Sequence, residues 1–79
     1  MIVYEVFSYN EAGQGEKEAK YSEATHPHLN IEQQAIVCAE VLAEELEPTE
    51  YYSVVVYKCE IDANNGKQTD CETVYEILL

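Results

Sequence analysis

The stretch NIEQQAIVCAEVLAEELEP, residues 30–48, decides the fold. Its apolar residues Ile31, Ala35, Cys38, Leu42 and Leu46 recur at the spacing of one helix face, with Val37, Ala39 and Val41 beside them. Asn30 stands at the N-cap position and Gln33 three residues on, a capping-box pattern in which each side chain satisfies the other's free backbone N–H. Pro48 lacks an N–H and clashes with the turn before it, so it stops the run. The spacing predicts a helix over residues 31–47.

What flanks this helix reads as β-structure. Residues 2–9 are branched and aromatic, a strand pattern. Residues 10–15, NEAGQG, form a turn whose two glycines are free to take positive φ. In residues 16–23, Ala19 and Tyr21 alternate with Glu18, Lys20 and Ser22, as on an edge strand with one wet face. Residues 25–29 connect to the helix, and Pro27 keeps His26 out of the helical region.

After the helix, residues 51–61 and 68–78 make a second hairpin around Asn64, Asn65 and Gly66. A three-residue loop there sets Tyr57 opposite Thr73, Val55 opposite Tyr75 and Cys59 opposite Cys71. On the other face it sets Lys58 opposite Glu72 and Val56 opposite Val74. A two-residue Asn65-Gly66 turn would slip the register by one; the first register is preferred because it pairs Lys58 with Glu72. The expected fold is α+β: one domain over residues 1–79, a four-stranded antiparallel sheet in the chain order ββαββ, and the helix on one face. Cys59 and Cys71 are expected on the core side. Tyr52, Val54, Val56, Val74 and Leu78 are expected on the side away from the helix, an apolar patch that a homodimer would cover.

Composition bounds the class. A 79-residue chain buries only about 60% of its unfolded surface. Disorder is disfavoured because 47% of the residues are hydrophobic and seven are tyrosine, enough for a core. The N-terminus has neither a basic n-region nor a long apolar h-region, and no apolar run approaches the ~20 residues of a membrane span. The expected location is the cytoplasm of a bacterial host cell. Three cysteines without a CxxC spacing write neither a disulfide framework nor a zinc ribbon, so Cys59 and Cys71 are expected as reduced neighbours.

No catalytic constellation is present in the sequence. His26 and His28 are two residues apart in a loop, a weak spacing for a metal, and no metal or cofactor is expected. Asp62 opens a segment resembling a calcium loop, but Lys67 occupies the required glycine position and Thr73 the closing glutamate position. Cys38 lies on the apolar stripe as a small hydrophobe, and the hairpin cysteines read as buried thiols with little thiolate. A pair such as Glu44 and Glu45 reads as a solvated helix end rather than an acid–base couple. The chain is therefore expected not to be an enzyme. With four lysines and no arginine, it has no basic patch for nucleic acid.

Charge is the remaining signal. Sixteen acidic residues against four lysines give a net charge of −12. Glu40, Glu44 and Glu47 fall at i, i+4 and i+7, and Glu45 and Glu50 extend the stripe around the helix end. There the carboxylates oppose the negative pole of the helix dipole and repel one another. Glu60, Asp62, Asp70 and Glu72 gather on the hairpin, with Lys58 as the counter-charge. Acidity can serve solubility alone, but solubility does not call for self-repelling charge where it destabilises. Same-face strand residues stand about 6.6–7 Å apart, comparable to successive phosphates on one nucleic-acid strand.

In size, charge and α+β makeup, and through these acidic groups, the chain resembles the small acidic phage inhibitors of bacterial defence, the anti-CRISPR and other DNA-mimic proteins. The resemblance implies a non-enzymatic inhibitor that binds a basic nucleic-acid-binding protein or ribonucleoprotein and competes with DNA for its positive surface. It implies no direct contact with nucleic acid or membrane. The alternative is a small acidic homodimeric interaction module without DNA mimicry.

Overall fold

A computed structural model describes all 79 residues. Along the chain run β1 (Ile2–Asn10), β2 (Gly15–Ser22), α1 (Ile31–Glu45), β3 (Tyr51–Ile61) and β4 (Gln68–Leu78). The strands form one antiparallel sheet in the spatial order β2-β1-β3-β4. The expected class, a four-stranded antiparallel sheet with one helix, is what the chain adopts. The two most apolar strands, β1 and β3, take the centre, where both of their edges are paired.

Helix α1 lies on one face of this sheet. Ile31, Ala35 and Ala39 pack on Tyr4, Val6, Val54 and Val56 as the core, with Cys38, Leu42 and Leu46 at its margin. Ala35 and Ala39 are fully buried, and their small side chains bring the helix backbone close to the sheet. Asn30 caps the helix in extended conformation, its side-chain oxygen accepting from the Gln33 N–H at 3.1 Å. The return bond from the Gln33 side chain is not made, so half of the expected capping box forms. The helix also ends at Glu45, two residues before the expected limit. Leu46 is already extended, although its N–H still donates to the Leu42 carbonyl.

The core overturns the expected assignment of faces. Val54 and Val56 lie beneath the helix, so alternation along β3 turns Val55, Tyr57 and Cys59 to the opposite face. Of the five residues expected away from the helix, Leu78, opposite Ser53, is there. Val54, Val56 and Val74 instead pack in or against the core, and Tyr52 is 58% exposed near the start of β3. The cause is the pairing of β3 with β1: Tyr4 and Val6, which carry the helix, stand opposite Lys58 and Val56.

The hairpin register holds near the turn and fails beyond it. Tyr57↔Thr73, Lys58↔Glu72 and Cys59↔Cys71 are partners as expected, but Val56 pairs with Tyr75 and Val55 with Glu76. Val74 is the extra residue of a β-bulge. The bulge lets Val74, Tyr75 and Ile77 all pack against the core. Lys58 and Glu72 are partners along the backbone, yet the molecule's single ion pair is Lys17–Glu5.

Cys59 and Cys71 are joined in a disulfide rather than held as neighbouring thiols, with Cα atoms 4.1 Å apart. An odd cysteine count argued against a disulfide, but direct cross-strand pairing brings these two side chains together whatever the count. Cys38 is the remaining thiol, half-buried on the helix stripe against the core. No helix is long and apolar enough to cross a membrane.

Candidate partner-binding surface

The nine acidic residues singled out from sequence occupy the two ends of the molecule. At one end are the last turns of α1 and the segment after it. Glu40, Glu44 and Glu45 are exposed on the helix, whose last turn carries no basic residue. Glu47 lies beyond the helix, so the expected i, i+7 stripe is interrupted. Its carbonyl instead accepts from the N–H groups of Glu50 and Tyr51 at 3.0 and 2.9 Å, which turns the chain into β3. The Glu50 carbonyl accepts from the Glu11 N–H at 3.1 Å and ties this end to the first hairpin.

At the other end, Glu60, Asp70 and Glu72 line a concavity of about 290 Å³ together with Lys58 and Ile2. Alternation and strand pairing place these side chains on the helix side of the sheet, past the N-terminus of α1. Asp62 does not join them. Its carboxylate accepts from the Asn64 N–H at 2.8 Å and shapes the β3–β4 turn, where Gly66 takes a φ of 69°. Tyr51 and Glu60 begin and nearly end β3, so the two acidic ends are separated by roughly 30 Å at ~3.3 Å per residue.

Glu32 lies between them, nearer the hairpin end, and nothing in its sequence spacing singles it out. It is exposed in the first turn of α1, where the helix dipole favours an anion, and it accepts from the Tyr4 hydroxyl at 3.2 Å. The Tyr4 hydroxyl ionises less readily than an ordinary tyrosine. Burial is the main reason, and the charges of Glu32 and Glu72 add to it. One hydroxyl thus senses carboxylates from both the helix and the hairpin. On β2, Glu18 also turns to the helix side, accepting from the Ser8 hydroxyl at 3.0 Å.

Glu5 is the exception among the acids. It is 4% exposed on the face away from the helix, with one oxygen 2.7 Å from the Lys17 ammonium and the other accepting from the Gln68 amide at 3.0 Å. Burial pushes its pKa up, but the Lys17 and Gln68 contacts outweigh that and leave it below the ordinary carboxylate value. The same face carries Phe7, Tyr9 and Tyr57. The two phenol oxygens are 2.7 Å apart and Phe7 meets Tyr57 edge-on at 5.6 Å. Burial, with the neighbouring Tyr9 and Glu76, pushes the Tyr57 hydroxyl up to about 12. The Tyr9 ring covers Gly15, where a Cβ would fall 2.6 Å from it.

In the connector between β2 and α1, His26 packs on Tyr21 at 4.7 Å and shares a hydrogen bond with the Thr25 hydroxyl. His28 adopts a φ of 68°.

No protein-family model, curated protein or solved structure matches the chain.

Proposed function

We propose that this chain is an acidic, non-enzymatic inhibitor that binds a basic nucleic-acid-binding protein or ribonucleoprotein and competes with DNA for its positive surface. One observation carries the reading: of sixteen acidic residues, only Glu5 is in an ion pair. The other fifteen have no lysine within ion-pair distance in the chain.

Their placement fits a long cationic groove. Glu40, Glu44, Glu45, Glu47 and Glu50 stand at one end and Glu60, Asp70 and Glu72 at the other, along a molecule 42 Å in its longest extent. Glu32 lies between them. An unpaired carboxylate at a helix C-terminus costs a few tenths of a kcal/mol, which binding to Lys or Arg side chains would offset. Association would be fast and salt-sensitive, since exposed charges act over a Debye length of ~8–10 Å.

The test is capture of partners from a bacterial lysate across a salt series, followed by competition of the captured protein with duplex DNA. Basic nucleic-acid machinery should be retained at low salt, elute at moderate salt and be displaced by DNA. Retention of partners indifferent to both salt and DNA refutes the proposal.

A further inference from the structure

The sheet face away from α1 differs from the rest of the molecule in charge. Of the sixteen acidic residues only Glu5 and Glu76 point from it, and of the four lysines Lys17 and Lys20 do. Two cations meet two anions there, so this face is neutral on a chain of net charge −12. It also carries the Phe7, Tyr9 and Tyr57 rings, all half-buried, and Leu78, which is 65% exposed. Each ring offers a large, stiff contact area at little entropic cost. Two copies approaching through their helix sides would oppose unpaired carboxylates. This is the face on which they can meet.

The geometry points to an isologous homodimer in which two copies stack these sheet faces about a two-fold axis parallel to the strands. The cross-strand register selects that axis. Lys17, Phe7, Val55 and Glu76 form one row across β2, β1, β3 and β4. A two-fold axis along the strands, between β1 and β3, lays β2 of one copy over β4 of the other without leaving the row. Lys17 then faces the partner subunit's Glu76 and Phe7 faces the partner subunit's Val55, each contact occurring twice. In the adjacent row, Tyr9 and Gly15 come over the partner subunit's Ser53 and Leu78. An axis across the strands would instead stack the two lysine-bearing β2 strands on each other. Lys17 already binds Glu5, but an ammonium has three donors and can serve both carboxylates. Packed sheets stand about 10 Å apart, within reach of Lys and Glu side chains extended from opposite faces. This interface stands independently of any target of the acidic ends.

Zero-length carbodiimide cross-linking, read by peptide mass spectrometry beside sedimentation velocity, tests this. Within one chain Lys17 and Glu76 are three strand spacings apart, roughly 14 Å, too far for their side chains to touch, so a Lys17–Glu76 amide must join two copies. The in-chain Lys17–Glu5 amide reports that the reagent works. The expected result is a species of twice the 9.0 kDa monomer mass that contains the Lys17–Glu76 linkage. Glu76→Lys changes an exposed residue whose side chain makes no hydrogen bond or ion pair, so the monomer fold should persist while association weakens at least tenfold. A monomer at every concentration up to the millimolar range, a dimer lacking the Lys17–Glu76 linkage, or undiminished association of Glu76→Lys would each overturn the proposal.

Discussion

At the scale of single residues, Asn30 shows what sequence can and cannot convey. Its role as a cap follows from local chemistry: a short acceptor side chain placed before an apolar run, within reach of the Gln33 N–H. Asn30→Ala should therefore lower unfolding free energy by about 0.5–2 kcal/mol in denaturant titrations. A variant as stable as the parent would remove the cap from the account. Glu5 conveys nothing comparable, because in sequence it is one polar residue in an apolar strand. Its partners come from 12 residues away in Lys17 and 63 residues away in Gln68, so only the assembled sheet discloses them. The sign of its pH effect follows from the lowered folded value. The pair stabilises the fold above the ordinary carboxylate value of 4.5 and loses that contribution as pH falls through the lower folded value. The stability difference between the parent and Glu5→Gln should be full near neutrality and shrink in acid below about pH 4.5. A difference that stays constant down to the acid limit would show that Glu5 is not held as a buried anion.

At the scale of elements, the helix and all four strands could be read from periodicity and turn chemistry, whereas the faces of β3 could not. Its run of Val54, Val55 and Val56 is apolar on both faces, so alternation along this strand does not say which side meets α1. That choice is made by β1, through Tyr4 and Val6. The bulge at Val74 escaped for a related reason: a register propagated from the turn assumes one partner per residue, and packing Val74, Tyr75 and Ile77 against the core breaks that assumption. The Cys59–Cys71 disulfide spans 12 residues in sequence. Closing a loop of this size constrains the unfolded chain by about 2–3 kcal/mol. Reduction should therefore lower the melting temperature by roughly 10–20 °C for a domain of this size, and the Cys59→Ser/Cys71→Ser pair should match the reduced parent. Calorimetry with and without reductant decides it. An unchanged melting temperature would mean that the cross-link adds nothing the strand pairing has not already fixed.

At the scale of the whole molecule, charge is distributed by side rather than spread evenly. The helix side and the ends carry unpaired carboxylates, and the open sheet face balances two lysines against two glutamates. Acidity itself could be read from composition, and the positions of Glu44, Glu45, Asp70 and Glu72 on exposed surface from periodicity. That they lie at opposite ends could not be read there, since it depends on how α1 runs along the sheet. The separation gives charge reversal a discriminating form. Glu44→Lys with Glu45→Lys places cations in the last turn of α1, in harmony with the dipole and with Glu40, and should raise stability by a few tenths of a kcal/mol per site. Asp70→Lys with Glu72→Lys puts two cations beside Lys58, so any stability change there should be a loss. The two pairs thus move stability in opposite directions, while both should weaken binding to a basic partner and flatten its salt dependence. Melting temperatures measured beside affinities at two salt concentrations separate the effects. If affinity follows stability, falling for one pair and rising for the other, the carboxylates act through the fold alone. If affinity falls for both while stability divides, the acidic ends themselves make the contact.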